Sequence, residues 1–405
     1  MAFEIRTCGN AEEFARAIGA IGQYFAWHPT PEEAARFGRN LPLERMRAAL
    51  DDGTTVGGAG AFPFDLSVPG GALRCAGVTV VGVAPTHRRR GIMTALMRAQ
   101  LDAARELGEP LAALWSSEAP IYGRFGFGLA SWQGDFELDK DRAQFGLPLE
   151  PRGSTRFVEP DEAIDLLPPI WDTVFRERPG MFSRSRTWWE SRILEDPDER
   201  RPAGAGPRRL VVLELDGAVQ AYAAYRHKPK WEGGASVGKI VVSEAFGTSP
   251  EATAEIWRFL LDIDWVKTAT SSLVPPDHPL FFLLAEPRRL NYRLGDGLWV
   301  RLLDVGAALA GRSYADVGRV VFDVRDAFCP ENEGRWAVEA GGAERTRAAA
   351  DVRLDVSELG SAYLGGVTFT QLTQARRVEE VTPGAVACAD ALFHSALHPW
   401  CPEIF

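Results

Sequence analysis

The residues from Val78 to Met97 decide most of what this chain can become. Val78-Thr79-Val80-Val81-Gly82-Val83 is a β-branched run and reads as a buried strand. Pro85 ends it, because proline has no amide to donate to a ladder. Arg88, Arg89, Arg90 and Gly91 follow, and then Ile92, Leu96, Ala99, Ala103 and Leu107 recur on one face of a helix. Gly108 and Pro110 stop that helix. The first amides of a helix have no internal acceptor, and the helix dipole makes that end positive. Gly91 lets backbone approach a ligand closely, and three arginines add charge at the same place. The arrangement is a site for a phosphate group. It carries neither the G-x-G-x-x-G of a dinucleotide turn nor the G-K-[ST] of a P-loop.

The layout strand, Pro-x-x-Arg-Arg-x-Gly, helix resembles the pyrophosphate turn of the GNAT acetyltransferases, which bind acetyl-CoA. A second motif stands downstream. Leu111-Ala112-Ala113-Leu114-Trp115 is a short apolar strand, followed by Ser116-Ser117-Glu118-Ala119-Pro120-Ile121-Tyr122-Gly123-Arg124-Phe125-Gly126-Phe127-Gly128. Ser116 or Ser117 can cap a short helix with Pro120 in its first turn. Tyr122 then lies near the C-terminal end of the preceding strand, where open α/β sheets bind ligands.

With 405 residues the prior is on the order of three domains of roughly 150 residues each. Hydrophobic residues make 46% and charged residues 25%, the balance of a globular protein. No apolar run approaches the roughly 20 residues that span a membrane. Met1 to Thr7 has no signal-peptide pattern. Five cysteines at 8, 75, 329, 388 and 401 form no C-x-x-C pair, which points to a reducing cytoplasm without disulfides. No metal is expected. The net charge of −10 argues against general nucleic-acid binding; it suits a cationic small substrate or simply keeps the protein soluble.

Residues 1–50 read as helical segments, Glu12 to Ile18 and Leu43 to Leu50, around an aromatic patch Tyr24-Phe25-Ala26-Trp27-His28-Pro29. Three strands follow: Thr54 to Phe64, Asp65 to Val68 and, after the Pro69-Gly70-Gly71 turn, Ala72 to Val83. The Pro-, Gly- and charge-rich run Asp139 to Pro160 reads as a domain boundary. A second unit then repeats the order hairpin, strand, turn, helix, with Leu210 to Tyr225 turning at Asp216-Gly217, Ser236 to Val242 and Pro250 to Ile263. Its turn, Ser243-Glu244-Ala245-Phe246-Gly247-Thr248-Ser249, has no arginine, and Glu244 repels a pyrophosphate. This unit is expected to keep the fold without the cofactor. Strands at Leu298 to Val305, Val320 to Val324, Gly334 to Val338 and Ala350 to Val356, with helices near Val356 to Leu364, Thr368 to Gln374 and Ala385 to Phe393, make a third, α+β unit. The expected domains are 1–145, 146–296 and 297–405.

On these residues the chain resembles the Eis (enhanced intracellular survival) family, a three-part branch of the GNAT superfamily. The resemblance rests on Val81 to Gly91, Ser117 to Gly128, Asp296-Gly297-Leu298-Trp299-Val300-Arg301, Leu359 to Gly366 and the terminal Phe405. It implies an α/β and α+β fold: tandem GNAT domains, the second degenerate, then a sterol-carrier-like domain. It implies acetyl transfer from acetyl-CoA to amines of aminoglycosides, often at several positions, in a homohexamer; some members acetylate lysines. It implies Tyr122 as general acid and the carboxylate of Phe405 as general base.

The chemistry stands beside the resemblance. An amine attacks a thioester only when neutral, so a base must take its proton. A chain-end carboxylate has a reference pKa of about 3.5, and apolar surroundings raise it; Trp400, Pro402, Ile404 and the Phe405 ring supply them. Amides near Val81 suit the oxyanion, and Val81 and Val83 pair with the pantetheine arm as an added strand. Arg88, Arg89 and Gly91 hold the pyrophosphate; Ser117 joins the cofactor site. Met93 stands where the wider superfamily has a small residue. Asp296 and Glu403 are the favoured substrate carboxylates, with Tyr24 and Trp27 as pocket walls. Other readings are an acetyl-CoA-binding regulator without turnover and a lipid carrier.

Overall fold

The computed structural model describes residues 3–24 and 26–405; Phe25 of the aromatic patch lies outside them. In chain order the first stretch gives β1 (Glu4–Thr7), α1 (Ala11–Gly22), α2 (Pro31–Gly38), β2 (Met46–Asp51), β3 (Thr54–Val68), β4 (Gly71–Val83), α3 (Ile92–Glu106), β5 (Leu111–Trp115), α4 (Ala119–Tyr122) and β6 (Gly128–Leu129). The middle gives β7 (Trp132–Asp139), β8 (Ser154–Phe157), α5 (Pro160–Glu177), α6 (Arg186–Trp188), β9 (Arg208–Leu215), β10 (Ala218–Lys228), β11 (Trp231–Glu232), β12 (Ala235–Ser236), β13 (Lys239–Gly247), α7 (Pro250–Asp262), β14 (Thr268–Val274), α8 (Leu280–Leu283) and β15 (Arg293–Asp296). The last stretch gives β16 (Leu298–Leu302), α9 (Val305–Ala310), β17 (Val320–Arg325), β18 (Gly334–Glu339), β19 (Gly342–Thr346), β20 (Val352–Asp355), α10 (Val356–Ala362), α11 (Phe369–Gln374), β21 (Val378–Glu380) and α12 (Ala385–Phe393).

Contacts divide the chain into two compact units. One comprises Met1–Ser131, Gly297–Pro399 and Ile404–Phe405; the other comprises Trp132–Asp296 and Trp400–Glu403. The first holds a seven-stranded sheet in the order β1-β2-β3-β4-β5-β16-β6 and a five-stranded sheet in the order β19-β18-β17-β20-β21. The strand that opens the last stretch, β16, thus sits antiparallel between β5 and β6. Helix α1 is capped by Asn10, whose side chain accepts from the Glu13 amide, and it buries Phe14, Ala17 and Ile18. Helix α3 buries Ile92, Leu96, Met97 and Leu101 in a core shared with Val78, Leu114 and Tyr122.

The second unit is built on a seven-stranded sheet in the order β15-β7-β14-β13-β10-β9-β8. Strands β9 and β10 turn at Asp216 and Gly217, both at positive φ (52° and 79°), the backbone a two-residue hairpin requires. Helix α7 is capped by Ser249 and packs Ala252, Ile256, Trp257 and Leu260 against the sheet.

Some local readings change. Leu43 to Leu50 is not a helix: a short turn at Leu43–Arg45 leads into β2, which pairs with β1 and β3. Met, Arg, Ala and Leu are good helix formers, but propensity is a weak preference and a place inside a sheet outweighs it. Thr54 to Val68 is one strand, not two, with Asp65 paired to Arg74 across the hairpin. Neither Ser116 nor Ser117 caps α4; Glu118 holds that position without a side-chain bond. Strand β7, upstream of the Asp139 to Pro160 run, already belongs to the second sheet. Among the described residues no helix is long and apolar enough to cross a membrane, and none of the five cysteines forms a disulfide.

Candidate active site

Strands β4 and β5 run parallel but pair only from Cys75, Ala76 and Gly77 to Leu111, Ala112 and Ala113. Beyond that they part, and β5 gives its other edge to β16. A bulge accompanies the parting. Ala59 lies opposite both Val80 and Val81, between the pairs Gly60↔Thr79 and Gly58↔Gly82. Val80 takes φ 48°, a left-handed backbone that costs a β-branched residue roughly 1–3 kcal/mol. Val81, Gly82 and Val83, next along from the strained Val80, line a cleft of about 600 Å³.

The basic turn closes one end of that cleft. Arg88 is extended, Arg89 is left-handed at φ 63°, and Gly91 is left-handed at φ 82° as the N-cap of α3. No side chain caps this helix, and a Cβ on Gly91 would meet nothing within 4 Å. Its first amides therefore open on free space. Arg88 and Arg89 line the cleft. Arg90 is engaged elsewhere. Its guanidinium binds Asp51 at 2.8 Å, and His87 lies 3.3 Å from the same carboxylate. The Arg90 hydrogen bond holds the Asp51 carboxyl below its usual range. Tyr24 donates its hydroxyl to the Val83 carbonyl at 2.6 Å, and Arg88 stands 5.6 Å from its ring centre.

Tyr122 lines the same cleft. It ends α4, is 6% exposed and meets the Phe127 ring edge-on at 6.2 Å. Burial raises its phenol pKa, and the charge of Glu118 adds to the rise. A neutral phenol lining a cleft is a proton donor in waiting. The turn beyond Tyr122 rests on residues from far along the chain. Phe125 meets Phe328 edge-on at 5.2 Å, and Arg301, paired with Asp326, lies where a side chain on Gly126 would be.

The structure brings Tyr24, Val81, Val83, Arg88, Arg89, Gly91, Ser117 and Tyr122 to this one cleft. Trp27 is not among its walls: its amide folds back onto the Gly22 carbonyl at 2.9 Å. Phe405 sits in the same unit with its ring edge-on to Phe64 at 5.3 Å and Phe62 at 6.3 Å. Asp296 ends β15 in the second unit, exposed, its carbonyl accepting from Gln133 at 3.3 Å. Glu403 is 7% exposed in the second unit and paired with Arg184, so its carboxylate is engaged inside the protein rather than open to a substrate amine. Arg184 is invisible to sequence reading because 219 positions separate it from its partner. The one hint is Glu244, an acid that lacks a local cation.

Three family models match the chain: an acetyltransferase (GNAT) domain over residues 4–130, a second acetyltransferase (GNAT) domain over 180–302, and a sterol carrier protein domain over 305–402. An N-acetyltransferase of Streptomyces avermitilis is 43% identical over 396 residues, covering 96% of this chain and 95% of that one. The N-acetyltransferase Eis of Mycobacterium tuberculosis is 32% identical over 383 residues, 90% of each chain. The crystal structure of Eis1 from Mycobacterium abscessus superposes with a TM-score of 0.87 at 33% identity, covering 99% of this chain and 100% of that one. These matches span nearly the whole chain, and the chain belongs to the Eis family of GNAT N-acetyltransferases.

Proposed function

We propose that the protein transfers the acetyl group of acetyl-CoA to amines of a cationic, aminoglycoside-type small molecule, at more than one position, and works as a homohexamer. The observation that carries the reading is the single cleft with cations at one end and a buried phenol on its wall. Arg88, Arg89 and the uncapped start of α3 suit a pyrophosphate. The parted edge of β4 from Val81 to Val83 suits an extended amide arm, with the Val83 carbonyl already engaged by Tyr24. Acetyl-CoA supplies the thioester.

The protein's residues then handle protons. The amine nitrogen bonds to the carbonyl carbon as the carbon–sulfur bond breaks. The terminal carboxylate of Phe405 takes the amine proton, and the Tyr122 phenol gives its own to the departing thiolate. The raised phenol pKa keeps that proton in place at neutral pH. The Phe405 ring, seated on Phe62 and Phe64, favours an ordered chain end over a frayed one. A net charge of −10 favours a cationic acceptor.

The test mixes the protein, acetyl-CoA and a panel of aminoglycosides, and reads free thiol and product mass. Thiol release with more than one acetyl per product is expected; no release with any amine overturns the reading. Light scattering on the same sample gives the assembly mass, which should be six chains.

A further inference from the structure

The second unit has the same divergence as the first. Strands β13 and β14 pair in parallel from Lys239↔Thr268 to Val242↔Ser271 and then part. The chain's own end occupies the opening. Trp400 stacks on Phe246 of β13 at 5.5 Å and donates its indole N–H to the Leu273 carbonyl of β14, so it touches both strands beyond their last pair. Its amide donates to the Pro179 carbonyl at 2.8 Å. Gly180, at φ 94°, makes the close approach possible, since a Cβ there would come within 2.9 Å of the Trp400 nitrogen.

Three residues on, a buried guanidinium grips the tail. Arg184 is 1% exposed and lies 3.3 Å from the ring centre of Trp171 and 4.5 Å from that of Trp189. Its Nε meets Glu403, and its two terminal nitrogens meet Glu244. Glu403 also accepts from the Trp188 indole at 3.2 Å, and Glu244 from the Tyr222 hydroxyl at 2.8 Å. Burial alone would lower the Arg184 pKa, but the two carboxylates hold it above its usual value, so the cation persists. Two acids share one arginine, and one of them belongs to the tail.

We infer that the second unit has turned its diverging strands into a receptor for the chain's own C terminus, with Arg184 and Glu244 as positioning residues that fix Glu403 and thereby the carboxylate two residues further on. The inference rests on reading the Phe405 carboxylate as the base. A plain structural ion pair predicts something different. Glu403→Gln leaves Arg184 and Glu244 as a matched buried pair, so the fold should survive while the grip on the tail is lost.

The experiment follows the intact full-length protein with carboxypeptidase, reading release of Phe405 and Ile404 by mass, alongside kcat and KM. For Glu403→Gln, release should be at least tenfold faster and kcat about tenfold lower, with KM for acetyl-CoA within about twofold. Trp400→Leu, which removes the stack and the bond to Leu273, should likewise speed release and lower kcat with KM within about twofold, and serves if Glu403→Gln does not fold. Unchanged release in both variants overturns the receptor; faster release with unchanged kcat overturns the positioning role. A chain lacking only Phe405 separates the two ideas. If it keeps full kcat, the assignment of the base fails, and the release rates alone decide the receptor.

Discussion

In the first sheet β4 leaves β5 and runs into Arg88 and Arg89, and helix α3 starts at an uncapped left-handed glycine. In the second, β13 leaves β14 by way of Glu244, and helix α7 starts at Ser249, whose hydroxyl accepts from the Ala252 amide at 3.1 Å. One opening therefore presents cations and unsatisfied amides. The other presents an acid and amides already partly satisfied, and it holds Trp400 and Glu403. The backbone divergence is shared, so it does not choose the occupant. Charge at the strand end and the cap on the next helix do.

The contrast can be broken at several points. The largest effect is expected at the phenol. Tyr122→Phe should lower kcat on the order of a thousandfold with acetyl-CoA affinity nearly unchanged, measured by thiol release. Next comes the basic turn. Arg88→Ala with Arg89→Ala should weaken acetyl-CoA binding about a hundredfold by calorimetry, at a stoichiometry of one per chain throughout. A stoichiometry of two would erase the distinction between the openings.

A smaller effect separates the units by pH. His278 is buried in the second unit, accepts from the Leu280 amide through Nδ1, and has its pKa lowered to about 3 by burial, with Arg178 adding to the fall. Its folded pKa is below the unfolded value of about 6.5, so the unfolded chain takes the proton first. Stability is full above about pH 6.5 and drains as pH falls toward 3, by about 2 kcal/mol at pH 5. Thermal unfolding of the second unit at pH 7.5 and pH 5 should show that loss, and His278→Asn, which keeps an acceptor, should remove most of it. The smallest effect is the cap. Ser249→Ala should cost about 1 kcal/mol of stability in the second unit and leave acetyl-CoA binding untouched.

Much of the first cleft is legible in the sequence because its parts are local. Val78 to Val83, the arginines, Gly91 and α3 are contiguous, and each follows from short-range chemistry. Tyr122 is legible because a short helix with a proline in its first turn places it at a strand's end. What escapes is long-range. The sequence near Asp51 says nothing of Arg90, nor that near Glu403 of Arg184. The bulge at Val80 is hidden because a valine in a β-branched run gives no sign of a left-handed backbone. Met46 to Asp51 misleads because its residue types suit a helix, and only pairing with β1 and β3 makes it a strand.

The place of β16 has a consequence for how the molecule comes into being. On the ribosome, Trp115 emerges long before Leu298, its ladder partner. Until then β5 has a bare edge, and β6 lacks the neighbour it pairs with. The middle unit waits longer still, because Trp400 and Glu403, which fill its strand opening, are made after β16. A nascent chain stalled before residue 302 would carry an unsealed first lobe, ready to stick to any passing strand, and a second lobe still without Trp400 and Glu403.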